Sequence, residues 1–159
     1  MAYNRMNAVA YAHRWAFARN PMYMNFTGIG GDCTNFISQC ILAGGAPMNY
    51  EKTFGWYYNS SKDRAPAWTG ARYLYNFLTK SKEIGPSAKE IALEELEIGD
   101  IVQITFDGIV FTHSLLVVEV PAKPTLDTIL IATHTNDSDH RALSTYHVVR
   151  FRYLKVNLL

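Results

Sequence analysis

Near residue 99 the chain changes texture, and that change limits the folds open to it more than any other feature. Before it, apolar residues recur at helical spacing. Residues 4–19 place Met6, Val9, Ala10, His13 and Phe17 on one stripe at intervals of three and four, and the run Arg19-Asn20-Pro21 then ends the helix. A second helix is expected after Asp32 as N-cap, with a buried stripe of Phe36, Ile37, Cys40 and Ile41 and a stop at Gly44-Gly45. A third, over 69–82, carries Tyr73, Leu74, Phe77 and Leu78, and 83–100 reads as a connection leading to a tight turn. After residue 99 the segments "IVQITF", "HSLLVVEV", "TILIATH" and "TYHVVRFRYL" are short and rich in Val, Ile, Thr and Tyr. Turn signals at Asp107-Gly108 and at 121–124 divide them. Helices followed by consecutive antiparallel strands predict an α+β domain, with N-terminal helices packed on a C-terminal antiparallel β-sheet.

At 159 residues the chain is expected to form one domain over 1–159, long enough to bury roughly 68–70% of the surface its unfolded form exposes. A net charge of +1 gives no electrostatic footprint for nucleic acid or an anionic membrane. No run of eighteen apolar residues is present, and the first twenty residues lack the continuous apolar core of an export signal. Neither a membrane span nor a signal peptide is therefore expected in this sequence.

The stretch "GGDCTNFISQCILAGG", residues 30–45, holds both cysteines of the chain. On one helix, Cys33 and Cys40 would stand about 10 Å apart at 1.5 Å rise per residue, beyond the roughly 7 Å reach of a disulfide. Their spacing matches no common zinc-ligand pattern, so no metal site is expected there. Cys40 lies on the apolar stripe and reads as a small core residue. Cys33 lies in the first turn, where free N–H groups and the helix dipole stabilise an anion. That position suits either a nucleophile or a buried structural thiol.

A thiol nucleophile needs an imidazole, and the imidazole needs a third group to fix its ring. Of five histidines, His13 falls on the stripe of the first helix, His140 in a polar loop, and His147 at an alternating strand position. His113 opens the most apolar strand, where a rigid scaffold would hold a base. If "HSLLVVEV" and "TILIATH" pair about a loop centred between Lys123 and Pro124, His113 falls opposite His134 and shares its face. A slip of one residue turns His134 to the other face, and a slip of two offers Asn136 instead. The lesser alternative is that His134 merely closes its strand. The aromatic run "FGWYYNSSKDRAPAW", with Phe54, Trp56, Tyr57, Tyr58 and Trp68, fits either a substrate-facing wall or an irregular loop pinned to the core.

Taken together, "GGDCTNFISQCILAGG", the Leu96–Asp100 entry to the first long strand, "HSLLVV" and "IATHTND" resemble amidase-like domains related to the NlpC family of cell-wall cysteine peptidases. The resemblance covers nearly the whole chain, including "YNRMNAVAYAHRWAFARNPMY". It implies a circularly permuted papain-like fold, with Cys33 as nucleophile, His113 as general base and acid, and His134 as the orienting third member, Asn136 being the alternative. Tyr23, ten residues before the cysteine, and Asp32 are implied as oxyanion or substrate contacts. The implied activity is amide hydrolysis through a thioester on a peptide or muropeptide, without cofactor or metal, in the cell wall or outside the cell as part of a longer secreted bacterial protein. An acyltransferase of the same fold, or a catalytically silent glycan- or peptide-binding module, are the alternatives. One departure stands out: "DCTN" replaces the family's common "DCSG", which predicts a bulkier groove beside the thiol.

Overall fold

The computed structural model describes residues 2–159. Two helices, α1 (Arg5–Trp15) and α2 (Cys33–Ala43), come first. A small hairpin, β1 (Tyr58–Ser60) and β2 (Asp63–Arg64), precedes the short α3 (Pro66–Thr69) and α4 (Ala71–Thr79). The rest builds a six-stranded antiparallel sheet from β3 (Pro86–Ile91), β4 (Ile101–Thr105), β5 (Phe111–Glu119), β6 (Leu130–Thr133), β7 (Ser138–Ala142) and β8 (Arg150–Leu158), in the order β3-β8-β4-β5-β6-β7. The chain is thus α+β, with helices on an antiparallel sheet.

The helices pack on one face of the sheet. Phe36, Ile37, Cys40 and Ile41 of α2 and Leu74, Phe77 and Leu78 of α4 bury against Ile101, Leu116, Ala132, Leu154 and Val156. The predicted stripe of α2 is buried, and so are the polar residues Thr34, Asn35, Ser38 and Gln39 around it, so the helix is enclosed nearly all round. The other face carries a smaller core of Leu96, Val102, Ile104, Leu115, Val117, Ile131 and Leu143.

α1 departs from expectation. Met6 and Phe17 are 75% and 69% exposed, and the buried line is Ala8, Val9, Ala12 and Ala16. Small side chains let α1 lie close against α2, whereas a stripe chosen by hydrophobicity picks the large residues that cannot fit there. Within 83–100, residues 86–91 are not a plain connection but the edge strand β3, paired along its length with β8. Its sequence, Pro-Ser-Ala-Lys-Glu-Ile, lacks strand periodicity, and only the partner makes it a strand.

A buried ion pair ties the start of α1 to the sheet. Arg5 donates to Asp100 Oδ1 at 2.6 Å and to the carbonyls of Ile98 and Val156, while the amides of Glu97 and Val156 donate to the same carboxylate. Gly99 holds φ +83°, and a Cβ there would press on Arg5 at 3.3 Å. The Ile-Gly-Asp entry to β4 therefore serves this clamp.

Trp56 and Trp68 are fully buried. Trp56 donates to Ser38 Oγ and Trp68 to Asn35 Oδ1, both on α2. The tryptophans of the aromatic run pin their loop to the core, whereas Phe54 is exposed and Tyr57 and Tyr58 are half-buried.

Candidate active site

Three successive positions at the start of α2 do different work. Asp32 occupies the N-cap, but its carboxylate does not cap the helix. It accepts from the Phe26 amide, from Asn35 Nδ2 and from His134. Cys33 is the first helical residue, 5% exposed, with its thiol free. Thr34 turns inward, and its hydroxyl meets Ser114 Oγ on β5 at 3.0 Å. Gln103 of β4 donates to the same serine oxygen, and Thr133 of β6 donates to the Ser114 carbonyl. This chain of hydrogen bonds fixes the N-terminus of α2 over three strands.

That anchorage sets Cys33 beside His113. The thiol Sγ lies 3.9 Å from His113 Nδ1 and equally far from the Thr112 carbonyl. His113 is half-buried, edge-on to Phe106, and burial pushes its imidazole below the ordinary histidine value. Thr34 and Asn35, the residues that distinguish "DCTN", are both buried and hydrogen-bonded inward. The expected bulkier groove is therefore not formed by them; their extra atoms go into anchoring α2.

His113 lines a cavity of about 330 Å³ together with Thr135, Asn136, Arg141, Tyr146 and His147. The Arg141 guanidinium lies 3.7 Å over the Tyr146 ring and donates to Thr145. The Tyr146 hydroxyl is buried beside the Ser138 and Arg141 side chains. Neither residue is marked by the sequence, because each lies in a short polar stretch with no periodicity.

His134 does not meet His113. Leu116 pairs with Ala132 and Val117 with Ile131, and this register, continued, sets Ser114 opposite His134 and Thr135 opposite His113. The pairing differs by one residue from the expected one, so His134 turns to the helical face. There Nδ1 donates to Asp32 Oδ2 at 2.5 Å and Nε2 donates to the Trp15 carbonyl at 2.7 Å, with the ring stacked 3.9 Å from Phe36. Both ring nitrogens face acceptors, which is the arrangement an imidazolium satisfies. Burial raises the Asp32 carboxyl, but the bonds from His134, Phe26 and Asn35 outweigh it and hold the group below the usual carboxylate range. Arg19 completes the cluster, 3.4 Å from Asp32 and bidentate on Asp137. Nor does the slip by two that would set Asn136 opposite His113 occur; Asn136 instead sits in a turn at φ +51°.

Tyr23 belongs to an aromatic cluster, 5.1 Å from Tyr58 and 6.0 Å from Trp68 between ring centres. Its segment is tied to α2 through Asn35, which donates to the Met24 carbonyl. Burial, with Tyr58 beside it, raises its phenol, so the hydroxyl stays protonated at neutral pH. Cys40 is fully buried, and burial pushes its thiol well up. His140 is exposed, as a polar loop would be, but it belongs to β7; His13 is exposed rather than buried.

The family described as "Putative amidase domain" matches residues 2–154. The chain belongs to that family. Amide hydrolysis is the activity the family suggests at a coarse level. The chain is also 37% identical over 142 residues to the uncharacterized protein YhbB of Bacillus subtilis (strain 168), a match covering 87% of the chain and 43% of that relative. It thus spans less than half of that protein. No solved structure matches. No helix among the described residues is long and apolar enough to cross a membrane.

Proposed function

We propose that this amidase domain is a cysteine hydrolase in which Cys33 attacks the amide carbonyl and His113 moves the proton. The observation that carries the reading is the 3.9 Å approach of Cys33 Sγ to His113 Nδ1 at a helix N-terminus, beside a cavity. Burial keeps His113 neutral near pH 7, so Nδ1 accepts the thiol proton as sulfur bonds to carbon. The first backbone N–H groups of α2 have no intrahelical acceptor and stand where an oxyanion would form. His113 then returns the proton to the departing amine, leaving a thioester. Water, deprotonated by the same imidazole, attacks that carbonyl and releases the acid and the thiol. Tyr23, held protonated on the segment beside α2, is a donor available to the substrate.

In this reading His134 acts through Asp32 rather than on His113. The buried pair holds Asp32 in place, and Asp32 is covalently joined to Cys33. Both are positioning residues. The substrate class is a peptide with a free carboxylate, as in the peptide portion of bacterial cell wall. Arg141 supplies a cation at the cavity wall, which suits such a group. A papain-like arrangement, with a cysteine-bearing helix on a histidine-bearing antiparallel sheet, agrees with this assignment, and a compartment containing cell wall follows from it.

Digestion of purified muropeptides, followed by mass spectrometry, tests the reading. The expected products are two fragments whose masses add to substrate plus one water, with an acyl-enzyme on Cys33 trapped by acid quench. Transfer of the acyl group to an added amine without hydrolysis would mark an acyltransferase instead. Unchanged muropeptides and no acyl-enzyme would overturn the cell-wall assignment.

The pH dependence has a definite sign. With its imidazolium destabilised by burial, His113 loses its proton below the ordinary histidine value of 6.5. The acid limb of kcat/KM is therefore expected below pH 6.5, with activity rising as pH increases through it. A limb at or above that value would show that burial does not set the protonation of the base in this site.

A further inference from the structure

We propose that His13, Asp139 and His140 form a binding site for a divalent metal ion of the zinc class, joining α1 to β7. The site shares no residue with the Cys33–His113 pair and does not rest on the hydrolase reading. His13 Nδ1 stands 2.8 and 2.9 Å from the two Asp139 carboxylate oxygens, and His140 Nδ1 stands 3.3 Å from one of them. One ligand atom from each residue fits within a span of 4.8 Å. Donors on a tetrahedral ion at bond lengths near 2.0–2.1 Å would be about 3.3 Å apart, so the three need little movement to close on one.

The backbone of β7 makes this convergence possible. Neighbouring side chains on a regular strand point to opposite faces, which would separate Asp139 from His140. Here the pairing with β6 shifts between Ile131↔Arg141 and Thr133↔Ser138, leaving an extra residue on β7, and His140 takes φ +55°. This bulge turns both side chains towards His13. Glycine adopts that conformation freely, whereas histidine adopts it under strain, so the position carries a side chain where backbone geometry alone favours none.

The rings of His13 and His140 are stacked, 4.6 Å between centres and 5° from parallel. The stacking lines the two rings up side by side, and the Nδ1 atom of each faces the Asp139 carboxylate. Two imidazoles and one carboxylate suit zinc, nickel or copper, and a lone carboxylate is too few oxygens for calcium or magnesium. The neighbouring Asp137 is engaged by Arg19 and is not a ligand. His140, 55% exposed, leaves a coordination position open to water.

Zinc chloride titrated into chelator-treated protein, by calorimetry and by thermal melting, tests the site. One ion per chain is expected, with a raised Tm that magnesium does not reproduce. His140→Gly relieves the strained backbone, so its metal-free Tm should be unchanged or higher while zinc affinity falls at least about tenfold. Asp139→Asn should also lose affinity, whereas Cys33→Ala should keep one zinc per chain. Absence of saturable binding would overturn the proposal, as would binding that survives His140→Gly and disappears in Cys33→Ala.

Discussion

Cys33→Ala is expected to abolish turnover, by on the order of 10⁴- to 10⁶-fold, without unfolding the protein. The anchorage of α2 lies in its neighbours: Thr34 bonds to Ser114, and Asn35 bonds to Trp68 and Met24, so removing one sulfur leaves the helix where it is. His113→Ala should cost nearly as much, because the thiol then has no base within reach, and the double variant should be little worse than either single one. The other cysteine provides the control. Cys40→Ala removes a buried sulfur from the core, destabilises by about 1 kcal/mol, and leaves turnover largely intact. Thiol labelling by iodoacetamide, read by peptide mapping of the folded protein, should modify Cys33 well before Cys40, whose thiol is fully buried and held protonated by burial. Equal labelling, or a Cys33→Ala protein that still turns over substrate, would remove Cys33 from the chemistry.

Asp32→Ala is expected to destabilise the fold by about 3–5 kcal/mol, since it leaves His134 buried beside the Trp15 carbonyl without its carboxylate partner. Chemical denaturation followed by circular dichroism measures this. The sign of the pH dependence follows from the lowered Asp32 carboxyl. Its stabilising contribution is present above the ordinary value of 3.8 and is lost as pH falls through the lower, folded-state value. In Asp32→Asn this acid-side loss should disappear along with the stability it represents. His134→Ala separates positioning from direct orientation of the base. A ring acting on His113 would lower turnover and leave stability unchanged, whereas the geometry here predicts lost stability first, with a smaller fall in kcat through displacement of Cys33. Unaltered stability in both Asp32→Ala and His134→Ala would show that the pair is not the anchor.

The helical half and strand half were legible because each rests on local pattern. Apolar spacing in α2 marks the residues of its apolar contact, though not the buried polar ones beside them, and the short β-branched runs mark β4, β5 and β8. β3 and β7 were not legible, since both are edge strands of mixed polar sequence whose pairing comes from distant partners. The stripe of α1 was misread for a related reason: hydrophobicity ranks Met6 and Phe17 above alanine, but close helix packing selects Ala8, Ala12 and Ala16.

For the candidate site, sequence alone determined which residues carry suitable chemistry: a cysteine at a helix start and a histidine opening a buried strand. Tertiary structure decided how they are used. Bringing Cys33 within 3.9 Å of His113 depends on hydrogen bonds between residues 80 apart, from Thr34 to Ser114. A register change of one residue sends His134 to Asp32, 102 positions away, instead of to His113. The bulge in β7 likewise brings Asp139 and His140 to His13. The last two outcomes turn on a pairing offset of a single residue, and side chains on a strand reverse face with every such step. Local composition is nearly indifferent to that offset, whereas in the packed sheet it decides whether His134 meets the buried Asp32 carboxylate or the cavity on the other face.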